Sequence, residues 1–266
     1  MRRSTFPLGV GVWLAACGPA PQSSRPPERT GARPGAEQGY VAPPAVTGAQ
    51  RAAGGRVLLT GHAAPAVKVR LASPAGATMF AMSDHAGGWR LLLPAAQEVR
   101  LYGLSAPGQG RPIQAEGYIA VTPSGLAAQL RAGSGAVVLG ARASGVSLLA
   151  ADFDRKGVVA LSGVAPPGAP VTIAVDTATR GSTRTGEGGR FMLALNEPLK
   201  PGDHVLTLTG AGGSGTQARV TIAPAAPLSG GPFRSQLAPG GWRIDWLTPG
   251  GGVQSTLLFD RAASQS

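Results

Sequence analysis

The chain has 266 residues, 24 Lys plus Arg against 13 Asp plus Glu, a net charge of +11 and one cysteine. A single cysteine excludes an internal disulfide, so the fold must be held by packing alone. The cations are mostly arginines scattered singly, lysine occurring only at 68, 156 and 200, and aromatics make up 5% of the chain. Without a basic–aromatic cluster, nucleic acid is not expected as a partner. The arginine surplus suits either attraction to an anionic polymer or lipid head group, or a surface shaped by a GC-rich coding sequence.

The first 17 residues, MRRSTFPLGVGVWLAAC, run from a basic start through an apolar stretch to the cysteine. That is the layout of a secretory signal, and the apolar stretch is too short for a stable membrane-spanning helix. Leu14-Ala15-Ala16-Cys17 resembles the lipobox of bacterial lipoproteins. The resemblance implies a signal peptide over 1–16, cleavage before Cys17 and lipidation of Cys17, so that the protein is held to a membrane by its N-terminal lipid. An ordinary cleaved signal followed by an incidental cysteine is the alternative. Gly18 rather than Asp follows the cysteine; by the sorting rule of that family this implies the outer membrane, facing the periplasm. Residues 17–54 are rich in Pro, Ala, Gly and Ser and nearly free of large apolar side chains, so they read as a disordered, lipid-anchored linker. Its typical span is roughly 35 Å.

Residues 57–93 and 158–195 superpose at a constant shift of 102. Leu59 falls on Leu161, Gly61 on Gly163, Val69 on Val171, Gly87 on Gly189 and Trp89 on Phe191, without a gap. Each copy alternates apolar and polar residues at period two, interrupted by Gly and Pro turns. The prediction is all-β: sandwich 1 over 55–121 and sandwich 2 over 157–224. The pair HAGGWRLLLP and EGGRFMLAL reads as a glycine turn feeding a core strand, with Trp89 and Phe191 as equivalent core aromatics. The second copy, through Gly163, Pro167, Gly168, Val171, Gly189, Phe191, Pro201, Gly202 and His204, resembles bacterial Ig-like domains of exported envelope proteins. The first copy departs from that pattern with Ala66 in place of Gly168. Such domains serve as spacers, adhesive modules and accessory domains alike, so the resemblance implies fold more than function.

Between the copies, 122–156 holds the strand-like AVVLG and SLLAADF and is expected to be a β-rich connector packed on one or both sandwiches. The tail, 225–266, carries GWRIDWLTPGGGVQSTLLF, a C-terminal hairpin too short to stand alone in water. Trp242 and Trp246 fall on one strand face with Arg243 on the other. They either form a flat stacking platform for sugars or a partner, or cover the end of a sandwich core.

No catalytic constellation is recognisable. His62, His85 and His204 are far apart in sequence with no metal-ligand spacing, and His204 reads as a partly exposed strand histidine. GAGGSG at 210–215 precedes a strand rather than a helix and is a hairpin loop, not a phosphate cradle. DFDRKG at 152–157 has Lys156 at a ligand position and Gly163 where a calcium loop needs an acid, so it reads as a tight turn. No metal and no cofactor are expected, and the protein is not expected to be an enzyme. What remains is an envelope scaffold or interaction module with a protein partner, or a binding module for peptidoglycan or another anionic or saccharide polymer.

Overall fold

Period-two alternation and glycine turns give strands throughout the residues that the computed structural model describes, 41–141, 144–213 and 215–260. In chain order these are β1 (Ala45–Ala52), β2 (Arg56–His62), β3 (Lys68–Ala72), β4 (Thr78–Met82), β5 (Gly88–Leu93), β6 (Arg100–Ala106) and β7 (Ile113–Gln114). Then come β8 (Tyr118–Val121), β9 (Ala127–Leu130), β10 (Val137–Val138), β11 (Ser147–Phe153), β12 (Val159–Val164), β13 (Pro170–Val175) and β14 (Ala178–Arg184). The last six are β15 (Arg190–Ala194), β16 (Gly202–Thr209), β17 (Gly215–Ile222), β18 (Phe233–Ala238), β19 (Gly241–Leu247) and β20 (Val253–Phe259). No helix among the described residues is long and apolar enough to cross a membrane. The signal peptide, Cys17 and the linker as far as residue 40 lie outside the described residues.

The fold is all-β, with two Ig-like sandwiches. In the first, the sheet β1-β2-β5 packs on the sheet β10-β9-β8-β6-β3-β4. Val57, Leu59 and Trp89 from one side meet Val69, Leu71 and Leu104 from the other. In the second, β15-β12-β11-β20-β19-β18 packs on β14-β13-β16-β17, burying Phe153, Leu161 and Phe191 against Val171, Ile173 and Leu206.

The shift of 102 is obeyed in three dimensions. Gly61 pairs with Trp89 across β2 and β5, and Gly163 pairs with Phe191 across β12 and β15. The Ser83 hydroxyl accepts the Val67 N–H and donates to the Ala64 carbonyl. Thr185 does the same with the Ala169 N–H and the Pro166 carbonyl, each 102 residues on. Gly87 (φ 84°) and Gly189 (φ 67°) close the turns into β5 and β15 in the left-handed region. Their N–H groups reach back to the carbonyls of Asp84 and Gly186. Ala66 takes the left-handed conformation (φ 54°) that Gly168 holds in the second copy, so the departure in the first copy changes the residue and not the backbone.

Two boundaries expected from sequence are corrected. The linker does not extend to residue 54: Ala45–Ala52 is a strand paired along β2. Nor is 122–156 a separate connector. Its β9 and β10 extend the large sheet of the first sandwich, while β11 sits in the middle of the second sandwich's six-stranded sheet. β1 and β11 are in fact the same strand of the repeat. Each carries a register irregularity, at Val46/Gly48 and at Leu148/Ala150, again offset by 102.

The C-terminal segment docks within the chain. β18-β19-β20 completes the six-stranded sheet through β20 paired on β11. That sheet is covered on both faces. Its second face, with Ala150, Ile244, Trp246 and Leu258, meets Leu101, Ala120, Leu130 and Val138 on the outer face of the first sandwich's large sheet. A third core therefore joins the two sandwiches.

Candidate functional site

The tail residues singled out from sequence do not form a binding platform. Trp246 is fully buried, set edge-on to Tyr118 at 5.7 Å between ring centroids, with its indole N–H donated to Thr256 Oγ1 at 3.1 Å. Trp242 is half-buried and packs against the same core. Arg243, on the opposite face, is buried too. Its guanidinium lies 5.2 Å over the Phe153 ring and donates to Asp245 Oδ1, to the Ala223 carbonyl and to Ser255 Oγ. The physical reason is the covering of β19 on both faces: a strand buried twice has no free aromatic surface to offer. The alternative reading, tryptophans covering a core, is the one realised. Gly240-Gly241 before Trp242 differs from the glycine turns before Trp89 and Phe191. Ala238 pairs directly with Gly241, so Pro239-Gly240 is a two-residue hairpin turn.

The acids are engaged in structure. Asp152 accepts the Ala136 N–H at 2.6 Å, the Thr256 hydroxyl at 2.5 Å and the Gln254 amide at 3.2 Å. Gln254 also accepts the Gly133 N–H, and Ser162 donates to the Ala136 carbonyl. Together these side chains of the second sandwich clamp the 131–136 turn of the first. Burial pushes the Asp152 carboxyl up to about 6, against the pull of its donors and of Arg131. Asp154, the other acid of DFDRKG, accepts the N–H groups of Lys156 and Val158 in the tight turn between β11 and β12. Burial would also raise Asp245, but Arg243, Ser255 and Arg234 outweigh it and hold the carboxyl below the ordinary carboxylate range. His62 and His85 are exposed, and His204 bonds Asp176 and the Lys200 carbonyl at a hairpin turn. Among the described residues, no group of three His, Cys, Asp or Glu is placed to hold a metal ion.

The feature sequence reasoning missed lies on the outer face of the first sandwich. Alternation in β3 and β4 sends Val69, Leu71 and Ala81 into the core and leaves Lys68, Arg70, Phe80 and Met82 outside. Phe80 is 46% exposed and Met82 62%. Arg70 lies opposite Phe80 and Lys68 opposite Met82, while the Lys68 ammonium sits 4.1 Å from the Phe80 ring centroid. Beyond β6, Pro107, Gly108, Gly110, Arg111 and Pro112 wall the same surface into an open groove of about 410 Å³. The sequence signal was available in the divergence of the copies. In the matching register the second sandwich carries Pro170, Thr172 and Ser182 where the first carries Lys68, Arg70 and Phe80.

No family model and no curated protein sequence matches the chain. Among solved structures, a biofilm-associated protein BSP domain aligns over 70% of this chain and 30% of its own at 14% identity and a TM-score of 0.24. The chicken interferon gamma receptor alpha chain aligns over 70% of this chain and 100% of its own, at 10% identity and 0.25. The central fibronectin-III array of RIM-binding protein covers 83% and 89%, at 12% identity and 0.25. At such scores the overlaps carry no functional weight. The fold class rests on the strand pairing described above.

Proposed function

We propose that the chain is a non-enzymatic lipoprotein of the bacterial envelope, acting as a scaffold or protein-interaction module. Lipid on Cys17 holds it at the outer membrane facing the periplasm. The observation that carries the interaction reading is the open groove of Lys68, Arg70, Phe80 and Arg111, which combines exposed apolar surface with positive charge. Contiguous exposed apolar surface rimmed by charge is the ordinary mark of a binding face. Non-enzymatic action is supported by the use of Asp152, Asp154, Asp176 and Asp245 in clamps and turns.

The test is photo-crosslinking in intact cells, with the reactive group at position 82 beside the groove. A discrete protein adduct is expected, and adducts no different from those formed at a remote surface position would sink the reading. The anchor is tested separately by labelling cells with a fatty-acid analogue, which should mark the wild type and not Cys17→Ala. A second reading, binding to peptidoglycan or another anionic or saccharide polymer, is favoured by the same cations, now without a tryptophan platform. It predicts salt-sensitive co-sedimentation with purified sacculi.

A further inference from the structure

Building on the interaction reading, we propose that the groove formed by Lys68, Arg70, Phe80, Arg111 and their loop docks an acidic peptide segment bearing apolar side chains, contributed by a protein partner. Charge is the first argument. Three cations line the groove and no acid does, and among the described residues none of the three is in an ion pair. A carboxylate-bearing partner supplies the missing counter-charge, and in a partly desolvated groove guanidinium–carboxylate pairing is directional as well as attractive. A second copy of this chain is a poor occupant, because each mature copy is strongly cationic, with 22 Lys plus Arg against 13 Asp plus Glu after residue 16.

Shape and surface chemistry narrow the class. Small-ligand sites enclose most of their ligand. This groove is open, lined by Phe80, Pro107 and Pro112, with exposed Met82 beside it opposite Lys68. That suits an extended chain laying successive side chains along β3 and β4. Peptide is favoured over glycan because the Lys68 ammonium already lies over one face of the Phe80 ring and closes that face to a stacking sugar. Phe80, 46% exposed, and the exposed Pro107 and Pro112 offer apolar surface to aliphatic side chains.

The duplicate supplies an internal control. Opposite Thr172, the second sandwich has Ser182, where Phe80 stands opposite Arg70 in the first. In the second copy Thr209 pairs with Gly215 across a short turn, whereas in the first the chain from Ser105 to its partner Gln114 is longer and carries Arg111. The fold therefore forms without these side chains.

The test uses the mature full-length protein and a fluorescein-labelled octapeptide of alternating Glu and Leu. Saturable binding is expected, weakening as salt rises, and at least about ten-fold weaker for a peptide with every Glu replaced by Gln. The double variant Arg70→Thr/Phe80→Ser introduces the residues of the second copy, so folding is retained, and it should also lose about ten-fold or more. A denaturation curve accompanies it; if it is unfolded, Lys68→Ala/Arg111→Ala takes its place with the same expectation. Equal binding of the Gln peptide, or equal binding by the folded double variant, overturns the proposal. So does saturable binding of alginate that the double variant loses while the peptide does not bind, since the occupant would then be a polyuronate. In cells, continued capture of the same partner by the double variant removes the groove but leaves the interaction reading standing. Failure of the wild type to capture any partner removes the reading itself.

Discussion

Glycine at 61 and 163 is needed for a reason that backbone freedom does not supply. A Cβ at 61 would lie 2.1 Å from the Ala45 carbonyl oxygen and 2.3 Å from the Trp89 ring. At 163 it would lie 2.2 Å from the Ser147 carbonyl and 2.5 Å from the Phe191 ring. In both copies the aromatic ring occupies the space that a side chain at the glycine would take. Gly61→Ala and Gly163→Ala should each destabilise by about 1–3 kcal/mol, the cost of overpacking a filled core, read from urea midpoints. An unchanged midpoint for either would show that both the ring and the neighbouring strand's carbonyl move aside. Arg243 is the second residue whose role is fixed by its surroundings. Arg243→Met keeps an apolar stem over Phe153 but removes donors from the buried Asp245, and should cost about 3 kcal/mol. Because Asp245 is held below its usual range, its stabilisation is present above about pH 4 and lost as pH falls through the lowered value. Removing Arg243 raises that value, so acid unfolding, followed by circular dichroism, should begin at a higher pH in the variant.

At the scale of strands and turns, the clamp between β11, β20 and the 131–136 turn carries its own pH dependence. The Asp152 carboxyl, near 6 in the folded protein, titrates near 4 when unfolded, so folding favours its protonated form. The associated stability is fully present below about pH 4 and is lost as pH rises through 6. Unfolding free energy should therefore fall by up to about 3 kcal/mol between pH 4 and pH 7 from this group. Asp152→Asn should flatten that slope in denaturation series at fixed salt, and an unaltered slope would assign it elsewhere. Repetition made the sandwiches legible: one shift of 102 aligns the turns and the core aromatics of both copies. The first strand of the first unit escaped, because β1 brings one large apolar residue, Val46, and its short sequence reads like the linker before it; its counterpart β11 reads as a strand but falls in the expected connector. Extending the shift upstream would have placed Val46 on Leu148 and joined β1 to β11. The tail was half-legible. Alternation of Trp242, Ile244 and Trp246 with Arg243 and Asp245 gave the strand, but suggested one wet face. Only distant residues, Ala223, Ser255 and Phe153, make the charged face dry. The groove was not legible at all from local pattern, since its walls come from β3, β4 and a loop beyond β6.

For the molecule as a whole, the third core decides whether two sandwiches behave as two domains or one. Tandem modules joined by a linker unfold independently. Here the second face of the six-stranded sheet is buried against the first sandwich, with Trp246 fully enclosed among Ala120, Leu130 and Ile244. The Asp152 and Gln254 clamp bonds add polar fastening across the same junction. Opening the junction exposes an apolar face on each side and breaks the Asp152 bond to the Ala136 N–H, so neither sandwich gains by separating first. The expected result is a single cooperative transition: amides of β2 and β5 and amides of β12 and β15 should exchange with the same opening free energy. Trp246→Ala removes the largest fully buried side chain at the junction and should cost about 3–5 kcal/mol through the cavity it leaves. It should also divide the exchange into two classes, one per sandwich, because the sandwiches' own cores lie on the far faces of the joined sheets and survive the loss. Two classes in the wild type would mean that the junction is a contact between independent domains. A single class in Trp246→Ala would place the coupling in the polar clamp, and Gln254→Ala should then divide it instead.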